Sequence, residues 1–231
     1  ISRYLDPATE AVTFSYNGGA QNDIFNIADV STLGVSGDQD FAMEVDMGAG
    51  DDRLVLTGCT ARAVSVDGGE GENSIVVAQS HGTNAANTFA AFANFQTYEV
   101  EGNVNPTVHD FTSMSGVQNV IIATNGGVNT QLIDLEAAQN VTVSGKNQTI
   151  GNNSTADQNF GTITLTNDAG ADRTITLDNT ARLSNSTNGV RQDGVLTVNT
   201  LTIDTNPGTT VGATRNVTIN SAGGRTSANA I

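Results

Sequence analysis

The sequence predicts an all-β fold, a parallel β-solenoid whose coils of about 21 residues become irregular towards the C-terminus. Threonine and asparagine are unusually common and Lys146 is the only lysine, a composition that favours strands joined by turns over helices. Pairs of apolar residues, each with one residue between its members, recur at nearly constant spacing. Four of these pairs begin at Tyr98, Val120, Val141 and Ile163, so the interval between them hardly varies.

A second series of apolar pairs runs beside the first in the acidic half of the chain. The pair that begins at Leu54 is followed by one at Ile75, at the same interval that separates Met43 from Val64 in the first series. Two strands per repeat are the minimum for a flattened coil, with apolar side chains inward and threonine and asparagine outward. After Leu165 the spacing becomes irregular, which leaves hairpins or a small β-sandwich as alternatives for the last third.

Two segments, 45–56 and 66–77, each consist of a strand-like run, an acidic glycine-rich turn and a second strand-like run. Glycine accepts the positive φ angles of tight turns, and carboxylates supply oxygen ligands to a hard cation. Stacking such turns about 4.8 Å apart brings like charges together, which a divalent cation would relieve. The alternative is that the carboxylates are solvated turn residues. The repetition of the turn in register favours calcium binding.

The turns at 18–25, 48–54 and 68–75 resemble the nonapeptide G-G-x-G-x-D-x-U-x of RTX proteins. In that family successive turns of a β-roll bind calcium in rows, so the resemblance implies a calcium-binding β-roll here. The match is incomplete, because Gln21 and Met47 replace glycines of the motif.

The sequence therefore predicts a calcium site built from the acidic turns and the residues that flank them. In the RTX alignment Asp23, Asp52 and Asn73 occupy the aspartate position, the third copy departing from the motif. Asp38 and Asp40 precede a predicted strand and are assigned to the same row. The predicted metal ligands are Asp23, Asp38, Asp40, Asp46, Asp51, Asp52, Asp67, Glu70, Glu72 and Asn73.

Charge divides the chain into two predicted domains, residues 1–104 and 105–231. Residues 1 to 116 hold 16 Asp and Glu against 3 Lys and Arg, and the remainder holds 8 against 6. The first domain is predicted to be an acidic calcium-binding β-roll with a short capping helix over residues 83–95, where phenylalanines recur at helical spacing. The second is predicted to continue as a threonine- and asparagine-rich β-solenoid or β-sandwich.

Charge and motif spacing also narrow the function. The acidic half would repel nucleic acid and anionic membranes, and no apolar stretch approaches the roughly 18 residues of a membrane span. The two histidines, His81 and His109, lie in loop-like contexts, and no catalytic spacing joins either of them to Cys59. We therefore expect neither a nucleic-acid-binding protein nor an enzyme.

Degenerate RTX turns, long threonine- and asparagine-rich repeats and excess acid together resemble the bacterial surface-layer (S-layer) proteins exported by type I secretion. This resemblance implies a secreted structural protein at the cell surface, stabilised by calcium, that assembles laterally with copies of itself into a lattice or sheath. The alternative is an adhesin, or a phage or toxin β-helix module, that binds surface polysaccharide. The absence of tryptophan argues against strong stacking on sugar rings.

Overall fold

The computed structural model is all-β, and the residues that it describes contain no helix. Parallel strands stack coil upon coil, which confirms the predicted parallel β-solenoid. The described residues are 12–28, 41–57, 64–78, 91–101, 107–112, 114, 116–124, 128–136, 139–145, 158–166, 172–179, 195–204, 216–222 and 225–230.

The first four coils each contain two short strands joined by a turn. Glycine and polar residues form these turns, while apolar residues alternate with polar ones in the strands, as a pleated chain with one buried side requires. The eight strands are β1 (Val12–Asn17), β2 (Ile24–Ala28), β3 (Phe41–Asp46), β4 (Arg53–Thr57), β5 (Val64–Asp67), β6 (Ser74–Val77), β7 (Ala91–Ala93) and β8 (Thr97–Val100).

The later coils follow the same plan, and two of their strands, Gln158–Thr166 and Val195–Asp204, are the longest of the described residues. Their described strands are β9 (Thr107–Asp110), β10 (Asn119–Ile122), β11 (Thr130–Ile133), β12 (Asn140–Ser144), β13 (Gln158–Thr166), β14 (Arg173–Asp178), β15 (Val195–Asp204), β16 (Val217–Ala222) and β17 (Arg225–Ala230).

Even-numbered and odd-numbered strands form different sheets around one core. The even-numbered strands make a continuous eight-stranded sheet from β2 to β16, which at about 4.8 Å per strand is about 35 Å long. The odd-numbered strands make a four-stranded sheet, β1-β3-β5-β7, and a five-stranded sheet, β9-β11-β13-β15-β17. Every pairing between described strands is parallel, so neither hairpins nor a separate sandwich occur among them.

The length of the coils changes along the solenoid, as the sequence predicts. Val120 pairs with Val141 in the next coil, whereas the stretch of chain from Val141 to its own next partner, Ile175, is longer. The stretch from Ile175 to its partner Ile219 is longer again. The paired strands stay in register across these longer coils. The extra residues therefore lie between strands, where loop length costs little free energy.

The core is a column of inward aliphatic and aromatic side chains. On the eight-stranded sheet Leu54, Ile75, Tyr98 and Val120 succeed one another from coil to coil, each with 0% of its surface exposed. Burying an aliphatic side chain of this size contributes about 1.5–3 kcal/mol to folding. The apolar column therefore holds the whole stack together, including the coils that lack acidic turns.

The series of apolar pairs that the sequence places in one ladder is divided among the three sheets. Val141 pairs with Ile175 on the eight-stranded sheet, whereas Ile163, expected to follow Val141, pairs with Leu201 on the five-stranded sheet. Both strands of a coil carry the same alternation of apolar and polar residues. Spacing alone consequently cannot assign a pair to a sheet.

The predicted capping helix over residues 83–95 is wrong where the structure describes it. Ala91–Ala93 forms strand β7, in which Phe92 pairs with Val66, and residues 83–90 lie outside the described part of the chain. Phe92 and Phe95 both point into the core with ring centroids 6.2 Å apart. Their spacing comes from a strand followed by a tight corner, which places both side chains inward without a helix.

His109 lies in strand β9 rather than in the loop that the sequence predicts. It is fully buried, and its Nδ1 atom lies 2.8 Å from the hydroxyl oxygen of Tyr98. Burial raises the pKa of the Tyr98 hydroxyl well above its usual value. His81 and Cys59 lie outside the described residues. The pair of His109 and Tyr98 is a polar contact inside a mainly apolar column.

Candidate cation site in the stacked turns

Three stacked turns connect the strands of the first three coils: residues 18–23 join β1 to β2, residues 47–52 join β3 to β4, and residues 68–73 join β5 to β6. Their backbones are hydrogen bonded to one another. The amide of Ala49 donates to the carbonyl of Gly19 at 2.8 Å, and the amide of Glu70 donates to the carbonyl of Gly48 at 2.9 Å. The parallel stacking therefore continues around this corner of the coil.

Glycine is required where the stacked turns approach most closely. Gly48 and Gly69 have φ angles of 91° and 73°, a region that residues with a Cβ rarely adopt. A Cβ on Gly69 would also lie 1.8 Å from the carbonyl oxygen of Gly48. Only glycine therefore allows the turns to stack this closely.

Side chains at one position of the corner bind the backbone of the preceding coil. The amide of Asp23 donates to Oδ1 of Asp52 at 2.7 Å, and the amide of Asp52 donates to Oδ1 of Asn73 at 2.8 Å. The amide of Asn73 in turn donates to Oε1 of Gln96 at 2.6 Å. Each coil therefore supplies the acceptor that satisfies a buried or half-buried amide of its neighbour.

This position forms a row that extends well beyond the acidic turns. In each of the first seven coils it lies two residues before the first inward apolar position of the even-numbered strand. The chemistry changes along the row from carboxylates through amides to a guanidinium group. We call it the corner row, and its members are Asp23, Asp52, Asn73, Gln96, Gln118, Gln139 and Arg173.

Arg173, at the positive end of the corner row, is hydrogen bonded to nearby backbone carbonyls. The buried guanidinium of Arg173 donates from Nη1 to the carbonyl of Gln139 and from Nη2 to the carbonyl of Glu136, the latter at 3.1 Å. A guanidinium is an acceptable buried group where carbonyl oxygens accept from its nitrogens.

The negative end contains a buried carboxylate oxygen that lacks a partner. Asp52 has 1% of its surface exposed, and its Oδ2 atom has no hydrogen-bond partner among the described residues. In the next coil, Nδ2 of Asn73 donates to the carbonyls of Gly69 and Asn94 at 3.4 and 3.0 Å. An unpaired buried carboxylate is unfavourable, so the Asp52 position calls for a positive partner.

The remaining predicted ligands occupy other places in the turns. Asp46 and Asp67 end their strands, and their Oδ1 atoms accept from the amides of Gly48 and Gly69 at 3.0 and 2.8 Å. Oδ1 of the exposed Asp51 accepts from the amide of Glu72 at 3.0 Å.

None of Glu70, Asp38 and Asp40 is among the described residues on the inner side of the corner. The side chain of Glu70 is exposed, at a position where its backbone bridges to Ala49. Asp38 and Asp40 lie outside the described residues. The corner thus brings together Asp23, Asp52 and Asn73 on its inner side, and Asp51 and Glu72 on its exposed side.

No group of three or more histidine, cysteine, aspartate or glutamate side chains within the described residues is arranged to hold a metal ion. A cation at the corner would therefore be held by one or two carboxylates together with backbone carbonyl oxygens. Calcium accepts this combination, since it takes carbonyl as well as carboxylate oxygens in flexible geometry. The residues at Asp52 fit a cation of this kind.

Sequence reasoning missed the part of the corner row that contains no acid. Gln96, Gln118 and Gln139 precede the strands β8, β10 and β12 at the same place where Asp52 and Asn73 precede β4 and β6. The recurrence of Gln before these strands is visible in the sequence. Aligning it with the acidic turns would have revealed the continuous row.

Comparison with protein-family models, with curated proteins and with solved structures gave no match. Within the described residues, no helix has the length and apolar character needed to cross a membrane. Function is therefore inferred from the chemistry of the corner and of the outer faces.

Proposed function

We propose that the protein is a secreted structural protein of a cell surface and that calcium stabilises its first coils. The observation that carries the proposal is Asp52, whose carboxylate is buried and whose Oδ2 atom has no hydrogen-bond partner among the described residues. A cation bound there would replace the lost hydration of the carboxylate. Asp52 and Asp23 would hold it together with carbonyl oxygens of the glycine-rich turns.

The charge of the surrounding turns also favours a divalent cation. Asp51 and Glu72 lie in consecutive coils on the exposed side of the corner, and Asp46 pairs in register with Asp67 on the neighbouring strands. Carboxylates in neighbouring coils repel one another, and the repulsion falls when a divalent cation is bound. Calcium at the millimolar concentrations of extracellular fluids is sufficient for such weak surface sites.

The outer faces suit a structural role. Thr142 pairs in register with Thr176 on one sheet, and Thr164 pairs with Thr202 on another, all at half-buried outward positions. Regular ladders of short hydroxyl side chains make a flat polar surface that can pack against the same surface of another copy. We therefore propose lateral self-assembly into a lattice or sheath, as the surface-layer resemblance implies.

The glycan-binding alternative receives less support. Phe14 is the one aromatic side chain among the exposed large hydrophobic residues of the described part. Sugar-binding faces commonly offer aromatic rings that stack on the sugar. The polar ladders by themselves favour neither sugar nor protein, so the self-assembling structural protein is the proposal that we carry forward.

Self-assembly is tested by light scattering coupled to size-exclusion chromatography, followed by negative-stain electron microscopy, on the full chain with calcium, with magnesium and with EGTA. Ordered sheets or filaments that form with calcium and disperse in EGTA are expected. Magnesium is the matched control, because it requires rigid octahedral coordination and releases its water reluctantly. Dispersed monomers under all three conditions would contradict the assembly proposal.

A further inference from the structure

Asn73 occupies in the third coil the place that Asp52 occupies in the second, but it carries a donor where Asp52 has none. Oδ1 of Asn73 accepts from the amide of Asp52, just as Oδ1 of Asp52 accepts from the amide of Asp23. Nδ2 of Asn73 then donates to two carbonyls, those of Gly69 and Asn94. All the hydrogen-bonding atoms of the Asn73 side chain are therefore satisfied within the corner.

The Asp23 side chain in the first coil is placed in the same way as the Asn73 side chain in the third. A Cβ on Gly18 would lie 3.0 Å from Oδ2 of Asp23, and a Cβ on Gly68, its counterpart in the third coil, would lie 2.9 Å from Nδ2 of Asn73. The second terminal atom of the side chain thus occupies a matching place in both coils. In the first coil that atom is a carboxylate oxygen, and in the third it is an amide nitrogen.

The carbonyl oxygens around this atom are also repeated. Gly69 and Asn94, whose carbonyls accept from Asn73, correspond by register to Gly48 and Gly68 at the Asp52 position. Where Asn73 offers an N–H group to such carbonyls, Asp52 offers only an oxygen. The carbonyl of Gly48 accepts from the amide of Glu70 at 2.9 Å, so the oxygen that lacks a donor among the described residues is Oδ2 of Asp52. A cation beside it would supply the missing positive contact.

We infer that the side-chain amide of Asn73 takes the place of a bound cation and ends the row of cation positions at the third coil. Its NH2 group supplies the positive contact for the surrounding carbonyls that a metal ion supplies beside Asp52. The amides of Gln96 and Gln139 and the guanidinium of Arg173 continue the row without carboxylates. The metal-binding part of this inference rests on the proposed calcium binding, whereas the amide part does not.

The inference makes opposite predictions for two isosteric changes. Asp52→Asn supplies the missing N–H group, so it is expected to remove one cation position and to stabilise the calcium-free protein. Asn73→Asp removes the donor, so it is expected to create one cation position and to destabilise the calcium-free protein. Asp51→Asn is the matched control, because Asp51 is exposed and the change removes the same charge while keeping the Oδ1 acceptor.

The test is calorimetric melting of the full-length wild type and the three variants, in EGTA and in millimolar calcium. In EGTA, Asp52→Asn is expected to melt about 5 °C or more above the wild type and above Asp51→Asn, and Asn73→Asp below both. The gain in melting temperature on adding calcium is expected to shrink for Asp52→Asn and to grow for Asn73→Asp. Native mass spectrometry is expected to count one bound calcium fewer and one more, respectively.

The outcomes separate this inference from the proposed function. If Asp52→Asn melts below the wild type in EGTA while Asp51→Asn does not, the equivalence of Asn73 and a bound cation is refuted. If Asp52→Asn gains as much from calcium as the wild type, calcium binds elsewhere and the inference is again refuted. If calcium changes no melting temperature but Asp52→Asn still melts higher in EGTA, calcium binding fails and the role of the Asn73 amide is supported.

Discussion

The backbone amide of Asp23 donates a hydrogen bond of 2.7 Å to Oδ1 of Asp52, which lies in the next coil of the solenoid. The bond uses one carboxylate oxygen of Asp52 and leaves the other buried without a partner among the described residues. The Asp52 side chain thus links two coils through Oδ1, while its buried Oδ2 atom requires a positively charged partner. The stability of the first coils should therefore depend on what satisfies that oxygen.

The close approach of the glycines gives a first prediction. Gly69→Ala is expected to lower the free energy of unfolding by about 2–4 kcal/mol, because the new Cβ would combine a positive φ with an approach of 1.8 Å to the carbonyl of Gly48. Gly19→Ala is the control, since a Cβ there would have nothing within 4 Å. Urea denaturation measures both, and equal losses would show that the turns do not stack as described.

An ion network on the outer face of the eight-stranded sheet gives a second prediction. Nη1 of Arg53 lies 3.4 Å from Oε2 of Glu99, and Nη2 lies 3.5 Å from Oε1 of Glu101. Glu99 has only 2% of its side chain exposed, against 30% for Glu101. Arg53→Met is expected to cost about 1–2 kcal/mol, because it leaves the buried Glu99 carboxylate without this partner.

The more exposed carboxylate of the network, Glu101, serves as the control. Glu101→Gln is expected to cost less than about 0.5 kcal/mol, since an ion pair that solvent reaches contributes little. Urea denaturation compares Arg53→Met with Glu101→Gln. The same measurement on Arg53→Met, on Glu99→Gln and on the two combined gives the coupling between Arg53 and Glu99. Additive losses in the double variant would indicate that Arg53 does not stabilise the buried carboxylate.

The contact between Tyr98 and His109 gives a third prediction, for alkaline pH. The pKa of Tyr98 is raised above 10.0 by burial, so above that pH the unfolded chain loses the phenolic proton while the folded chain keeps it. Stability from this group is complete below pH 10 and falls by about 1.4 kcal/mol per pH unit above it. Tyr98→Phe should remove this part of the loss of stability at alkaline pH.

The measurement is the free energy of unfolding of both proteins as a function of pH. At neutral pH, Tyr98→Phe is expected to cost about 1 kcal/mol, because the hydrogen bond to His109 is lost. Above pH 10 the difference between the two proteins should narrow and then reverse. A constant difference over the whole range would mean that Tyr98 titrates in the folded protein as it does in the unfolded chain.

Much of the fold could be predicted from the sequence because a solenoid repeats its local chemistry. Pairs such as Leu54 and Leu56 reveal inward strand positions wherever they recur, and Met43 pairs with Val64 as the predicted interval requires. The assignment of strands to sheets could not be predicted, because both strands of a coil have the same pattern. Phe92 and Phe95 gave a false helical period because a strand and a corner placed both rings inward.

The candidate site was predicted in part. Glycine spacing and carboxylates located the turns, and the motif alignment selected Asp23, Asp52 and Asn73, which the structure places in one row. The inner and exposed carboxylates could not be separated, because adjacent residues such as Asp51 and Asp52 differ only in the direction of their side chains. The continuation of the row to Arg173 was hidden because its chemistry changes while its position does not.

The most direct test of calcium stabilisation is a thermal melt of the wild-type chain in EGTA and in millimolar calcium, with magnesium as the control. Binding to the folded state at about 10–100 times the dissociation constant contributes about 1.4–2.7 kcal/mol, which corresponds to a rise of about 3–10 °C in a chain of this size. We expect a rise of that order with calcium and a much smaller rise with magnesium. Identical melting temperatures in calcium and EGTA would be incompatible with a cation at Asp52.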